Sequence, residues 1–421
     1  MNPLHDFKQP NALRRFVGAT MPVCSPAIAA LLLGLLLPKV THGDRLDDFN
    51  KLEAECKTAS ESFFKDHKLT ASSPAAERIA AHKAIPTWKY IPRFLALAEA
   101  SPADDTSYRA CEWLLDCPAS DKVSFAAQQK AWQIIAINHS QGPNLPRLCL
   151  RTVQTCGVAE EEFLRGVLRQ PSLSRENAAF ATVALGEVLA RRHSVIENRA
   201  ASPVPPPADE FEKYYRDRIA PEWRSVFEPQ KAAKYRTESE QLFHAVLDKY
   251  GDVPCTISMP YFRDIKLLRE KAEKSLHALQ HLSIGAEAPP IIGRDLNDRP
   301  LQLSDYRGRV VLLSFWFTGC GPCMAIIPEE QKLVEQFKDK PFALLAVSSD
   351  PEIEMSRETA QKQGITWPTW FDGENGRINR DYNIMSWPTL YLLDKQGRIV
   401  SKNLDSDHMA EQIAKLLDKK D

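Results

Sequence analysis

Eight uncharged residues, Val310 to Phe317 (VVLLSFWF), run directly into Thr318-Gly319-Cys320-Gly321-Pro322-Cys323. A continuous apolar run of this length reads as a strand buried on both faces, so helices must cover the sheet above and below. The cysteine segment then opens a helix, because Pro322 suits a first turn whose N–H groups have no partner in any case. Cysteines three apart on one turn face the same way at about 5–6 Å, within reach of a disulfide. Cys320 stands where unpaired N–H groups and the helix dipole stabilise a thiolate, so its pKa is expected to be lowered. Cys323, one turn inside and more buried, is expected to keep its proton until it attacks a mixed disulfide formed at Cys320. A zinc knuckle would need a second ligand pair at suitable spacing, and the sequence has none, so no metal is expected.

The flanking sequence predicts an α/β domain over residues 285–421. Phe342 to Val347 (FALLAV) is a second buried strand and a neighbour of the first. Leu390 to Leu393, the Asp394 to Gly397 turn and Arg398 to Val400 read as a hairpin, and Met409, Ile413, Leu416 and Leu417 give a closing helix its buried face. Just before the hairpin stands Ser386-Trp387-Pro388-Thr389. A proline entering a strand sits where a donor can be absent, and a cis bond at Pro388 would turn the preceding backbone towards the cysteines, where a partner's backbone could pair with Trp387. Trp367-Pro368-Thr369 repeats the triplet, but only Pro388 leads into the terminal hairpin.

Taken together, residues 285–421 resemble the thioredoxin family, in particular its exported TlpA/ResA-like thiol-disulfide oxidoreductases. The likeness rests on Ala288-Pro289, on Leu301 to Gly308 (LQLSDYRG), on Phe315-Trp316, on Cys320 to Cys323, on Pro328 within the following helix and on Pro388-Thr389. It covers about a third of the chain. It implies a thioredoxin fold, a dithiol/disulfide cycle on Cys320 and Cys323, a cis bond at Pro388, and a partner-binding surface drawn from Trp316, Gly321, Pro322, Trp387, Pro388 and Thr389. It implies no cofactor. The long N-terminal half ahead of such a domain is similar to exported proteins of planctomycete-type bacteria.

Three positions depart from the family pattern. Thioredoxins carry a buried carboxylate six residues before the first cysteine, and here that residue is Ser314. ResA-like members place a glutamate three residues after the second cysteine, where Ile326 stands, leaving Glu329 as the candidate proton acceptor. Gly319 replaces the usual tryptophan, and Trp387 is the candidate for the missing aromatic wall.

Ahead of this domain, Arg14 and Arg15 precede an uncharged stretch from Phe16 to Pro38 that is densest in Ala and Leu from Ala27 to Leu37. A positive flank followed by an apolar core is a secretory pattern, so residues 1–43 are expected to be a signal peptide or, at about 34 Å of helix, a membrane anchor. Residues 44–200 show apolar spacing of three and four, as in Phe180, Val183, Ala184, Val188 and Leu189, and read as a helical domain. ASPVPPPAD, residues 201–209, is a Pro-rich linker. Residues 210–284 read as a helical hairpin region, with Thr237 and Glu240 as a capping box that starts its first helix. Cys56, Cys111, Cys117, Cys149, Cys156 and Cys255 are open to two readings, disulfides or small buried hydrophobes. If one helix holds both Cys149 and Cys156 they lie about 10 Å apart and cannot bridge each other, so a bridge from the 111/117 pair to the 149/156 pair would be the sensible arrangement.

Lys and Arg total 54 against 55 Asp and Glu, so no global charge favours nucleic acid. Thirty prolines come in bursts between periodic segments, which excludes a disordered chain. The sequence therefore predicts an exported reductase, periplasmic or anchored facing the periplasm. It would exchange disulfides with proteins, draw electrons from a membrane donor, and offer its helical region to other proteins. Two alternatives stand beside it. One is a peroxiredoxin-like peroxide reductase, for which Thr318 is near but the required proline is absent; the other is a helical scaffold protein carrying a thioredoxin-like module.

Overall fold

The computed structural model describes residues 42–419, apart from 68–69, 71–72, 118–120, 202–206, 208, 215–216, 218–224, 258, 260–261, 263–264, 375 and 403–405. The apolar stretch Phe16 to Pro38 and most of the 201–209 linker lie outside the described residues. Among those described, no helix is long and apolar enough to cross a membrane. The chain divides into two compact units, Met1–Arg192 with Pro205–Lys231, and His193–Val204 with Ala232–Asp421.

The described residues of the first unit form helices and no strand: α1 (His42–Asp66), α2 (Ala75–Ala84), α3 (Ile91–Ala100), α4 (Asp105–Asp116), α5 (Lys122–Asn138), α6 (Leu145–Thr155), α7 (Val158–Leu168) and most of α8 (Arg175–Ala201). Local sequence sets the helix starts. Asp104 accepts the Ser107 N–H at 2.7 Å to cap α4, and Asp121 and Ser124 cap α5 reciprocally. Between the helices, Phe94 stacks on Trp113 with centroids 3.6 Å apart. Arg192 is wholly buried; its guanidinium donates to the carbonyls of Cys156 at 2.9 Å and Gly157 at 2.6 Å and pairs with Glu161, which compensates the charge.

No disulfide joins any of the six described cysteines from Cys56 to Cys255. All six are buried, so the hydrophobe reading holds and the bridge reading does not. Cys149 lies within α6 while Cys156 caps that helix in the left-handed conformation, and the Cys117 and Cys156 thiols donate to the carbonyls of Trp113 and Val153 in their own turns. Burial pushes the Cys111 thiol up to about 12 and the Cys156 thiol up to about 11, which keeps both protonated and unreactive.

After the end of α8, the second unit continues with α9 (Ala232–Tyr250) and α10 (Leu268–His281), which pack on each other. The start of α9 corrects the capping-box expectation: a 3-10 turn from Pro229 to Lys231 feeds the helix from Ala232, so Thr237 is interior and Glu240 pairs with Arg236 at 3.1 Å instead. A short antiparallel pair, β1 (Ile292–Arg294) and β2 (Pro300–Gln302), precedes the main sheet.

That sheet contains β3 (Val310–Trp316), β4 (Phe342–Ser348), β5 (Thr369–Phe371), β6 (Thr389–Leu393) and β7 (Ile399–Lys402), in the order β5-β4-β3-β6-β7. β4 runs parallel to β3 and β5, and β6 runs antiparallel to β3 and β7. The helices α11 (Gly321–Gln336), α12 (Ile353–Gln363), α13 (Arg377–Asp381) and α14 (Ser406–Asp418) complete the unit. Every residue of β3 is buried, as its unbroken apolar run requires. Alternation splits that strand between two core layers. Val310, Leu312 and Trp316 join Ile327, Leu333, Met409 and Ile413 on one face; Val311, Leu313 and Phe315 join Trp370, Tyr382 and Tyr391 on the other. The α/β expectation for the C-terminal region and the helical expectation for the region before it both hold.

Candidate active site

The first core layer also contains two sulfur atoms. Cys320 and Cys323 are joined by a disulfide with their Cα atoms 5.2 Å apart, at the point where β3 hands over to α11. Cys320 is the N-cap of α11, extended at φ −84° and ψ 97°, and its Sγ accepts the Cys323 N–H at 3.1 Å. That is the place of a capping oxygen, so the helix end that would stabilise an anion points its free N–H at sulfur. Cys320 is 5% exposed and Cys323 1%, while Gly321 and Pro322 between them face solvent. An incoming group therefore meets Cys320 first.

A buried carboxylate holds the loop that presents Cys320. Asp350, 1% exposed and just past the end of β4, accepts the Thr318 N–H at 2.7 Å and the Thr318 hydroxyl at 2.9 Å. The Ser348 and Ser356 hydroxyls donate at 3.0 and 2.9 Å to the same Oδ2 that accepts the Thr318 hydroxyl. Thr318 is thus committed to fixing the loop. Neither the role of Asp350 nor that of its serines is legible from a motif, because the contacts depend on β3 and β4 ending side by side.

Across the sheet, Phe315 pairs with Thr389, so Pro388 lies at the edge where the cysteine loop leaves β3. The Trp387–Pro388 bond is the one cis peptide among the described residues, and the bond before Pro368 is not cis. Thr389 is buried and donates to the Ser386 carbonyl at 2.6 Å, closing the turn. Trp387 packs against the sulfur-containing layer, and its indole N–H donates to Ser349 at 3.0 Å. Its ring meets Phe317 edge-on, with centroids 5.4 Å apart. A Cβ on Gly319 would come within 3.0 Å of the Phe317 ring, so the Phe317–Trp387 pair occupies the aromatic position that Gly319 leaves open. Trp316 and Thr389 differ from the other expected surface residues: both side chains are buried, Trp316 in the core layer and Thr389 in the turn.

The two glutamates that follow Cys323 on α11 differ in their surroundings. Glu329 is half-exposed and pairs with Lys332 at 2.7 Å, so it is a surface ion pair and not the proton acceptor looked for after Cys323. Its neighbour Glu330 is 3% exposed. Burial raises its carboxyl to about 7, against the opposing effect of a hydrogen bond with the Ser314 hydroxyl, and its Oε1 has no partner. The signal was in the sequence: Cys323, Ile327 and Glu330 follow the i, i+4, i+7 spacing of one helical stripe.

Residues 284–402 match the AhpC/TSA family. The chain is 37% identical to the thioredoxin-like protein YneN of Bacillus subtilis over 118 residues, covering 27% of this chain and 68% of that protein. It is 28% identical over 140 residues to the thiol-disulfide oxidoreductase ResA of Bacillus thuringiensis subsp. konkukian, covering 33% of this chain and 80% of that protein. Among solved structures it is similar to the thioredoxin domain of a thiol-disulfide oxidoreductase from Bacteroides vulgatus, 30% identical with a TM-score of 0.31, covering 32% of this chain and 99% of that one. Relatives of this kind, aligned over two thirds or more of their own length, meet a helix-capping disulfide beside a cis-proline turn, and through its C-terminal third the chain belongs to the thioredoxin-like thiol-disulfide oxidoreductases of the AhpC/TSA family.

Proposed function

We propose that this enzyme is exported and exchanges disulfides with protein partners through Cys320 and Cys323, working as a reductase. The observation that carries the assignment is the placement of Cys320 as the N-cap of α11, which favours its thiolate and leaves it the more exposed of the two cysteines, with Cys323 held one turn inside. In the reductive direction the Cys320 thiolate attacks a partner disulfide, and one partner sulfur leaves as a thiolate. Cys323 then attacks Cys320 Sγ, the Cys320–partner bond breaks, and the second partner sulfur leaves while the 320–323 bond forms. Two electrons pass to the partner. The Pro388 turn, with Trp387, Gly321 and Pro322, forms the surface that presents the partner's backbone.

The direction follows from how far the N-cap site stabilises the thiolate relative to the disulfide. Equilibrating the full chain with glutathione redox buffers and counting protein thiols is expected to give a potential near that of reducing thioredoxins, about −270 mV; a value near the oxidising end, about −120 mV, would reverse the direction. Export rests on Arg14, Arg15 and the apolar stretch that follows, and cell fractionation of the full-length chain checks it: recovery from the cytoplasm with an intact N-terminus would remove it.

Trp387 gives the partner an apolar face next to Cys320. Trp387→Ala is expected to slow attack on a folded protein disulfide about 3–10-fold, on the order of 1 kcal/mol, with little effect on a small disulfide such as oxidised glutathione. Stopped-flow tryptophan fluorescence on both substrates separates the two, and an equal loss on both would mean the ring only supports the fold.

A further inference from the structure

A carboxyl buried in the same core layer as a disulfide, with one oxygen unbonded, is costly to keep unless it is used. Glu330 and Cys323 share one stripe of α11, seven residues or about 10 Å apart along the axis. Helical side chains lean towards the N-terminus, so the glutamate reaches back along the stripe towards Cys323, with Ile327 between them. Ser314, on the β3 face that lines this layer, supplies a hydroxyl bonded to the carboxyl.

We propose that Glu330 is the buried acid–base group of the exchange, taking the proton that Cys323 sheds as it attacks Cys320 and returning it to the departing thiolate. The inference rests on the assignment of Cys320 and Cys323 above. Every other part of the balance is unchanged: the 320–323 bond forms, the Cys320–partner bond breaks, the electron pair leaves on the partner's sulfur, and the proton reaches that sulfur by way of Glu330. A carboxyl that titrates near 7 is matched to moving protons at neutral pH, whereas one ionised at pH 4.5 would hold them poorly.

Few other charges compete for this role. β3 and β4 carry no ionisable side chain. On α11, Glu329 pairs with Lys332 and Glu335 with Lys338; on α14, Glu411 pairs with Lys415. Asp350 is saturated by Thr318, Ser348 and Ser356. His408, at the start of α14, is half-buried with an unbonded Nδ1 and is the remaining titratable group to control for.

The reduced full chain is mixed with dithiobis(nitrobenzoate) between about pH 5 and pH 9, with Cys320→Ser as the blank. Attack by Cys320 releases a first thionitrobenzoate, and attack by Cys323 on the mixed disulfide releases a second. In the unmutated chain the second release is expected to accelerate through a midpoint near pH 7. Glu330→Gln is expected to slow it about tenfold or more at pH 7 and to move the midpoint above about pH 9, leaving the first release unchanged. Ser314→Ala, which removes a hydrogen bond that favours the carboxylate, is expected to move the midpoint upward. If both variants keep the parent profile, or if His408→Gln moves it and they do not, the role of Glu330 is overturned. Absence of any first release from the unmutated chain would instead sink the assignment of Cys320, and this inference with it.

Discussion

Replacing Cys320 with serine is expected to lower the rate of disulfide exchange about 10³-fold or more, to the background of the uncatalysed reaction, because a hydroxyl at that helix end cannot supply an anionic nucleophile at neutral pH. Cys323→Ser is expected to behave differently. Its first step survives, since the N-cap geometry at Cys320 depends on the backbone N–H of residue 323 and not on its sulfur. The second step fails for want of a resolving thiol, so the chain accumulates as a covalent mixed disulfide with its partner. Denaturing gels without reductant, run on both variants after incubation with a disulfide-bonded protein, read the two outcomes directly. The six buried cysteines are raised or shielded by burial and should contribute no background adducts. If Cys320→Ser trapped partners and Cys323→Ser did not, the two roles would be exchanged, and the thiolate preference of the helix N-terminus would not be what selects the attacking sulfur.

Much of this site could be read from the chain because each part depends on local chemistry. The strand at Val310 is dictated by an apolar run, the helix start by Cys320-Gly-Pro-Cys323, and the turn at Pro388 by a proline that enters a strand. The residues that escaped depend on tertiary packing. Whether Glu329 or Glu330 is buried turns on which face α11 lays against β3, a rotation of about 100° per residue that the nearby Pro328 obscures. Asp350 is a loop carboxylate in the sequence and becomes the anchor of Thr318 only because the parallel pairing of β3 and β4 brings their ends together. The cysteines of the first unit could be read either way, since bridging depends on distances between helices that no spacing encodes. Thr237 and Glu240 match a capping box in letters, yet the turn at Pro229 had already started the helix upstream.

Glu330→Gln is expected to stabilise the oxidised protein above neutral pH while impairing the resolving step. In the native state burial raises this carboxyl to about 7 from an ordinary value of 4.5. Below about pH 4 the folded and unfolded chains both carry the proton, and the group contributes no pH dependence. As pH rises, the unfolded chain ionises first, so native stability is lost progressively until the folded carboxyl also ionises near pH 7, and the loss is constant beyond that. A difference of about 2.5 units at about 1.36 kcal/mol each amounts to roughly 3 kcal/mol. Glutamine keeps the shape and cannot ionise, so the variant should match the parent near pH 4 and exceed it by up to about 3 kcal/mol at pH 8. Urea unfolding of the full chain at both pH values, followed through the transition of the second unit, measures this. A parent as stable as the variant at pH 8 would mean that the carboxylate is solvated and has no raised affinity for a proton. If instead the variant is more stable at pH 8 and slower in its second thionitrobenzoate release, the fold bears a cost at this position that the exchange reaction uses. The cost and the use then share one origin, a carboxyl held away from water so that its proton stays exchangeable at neutral pH.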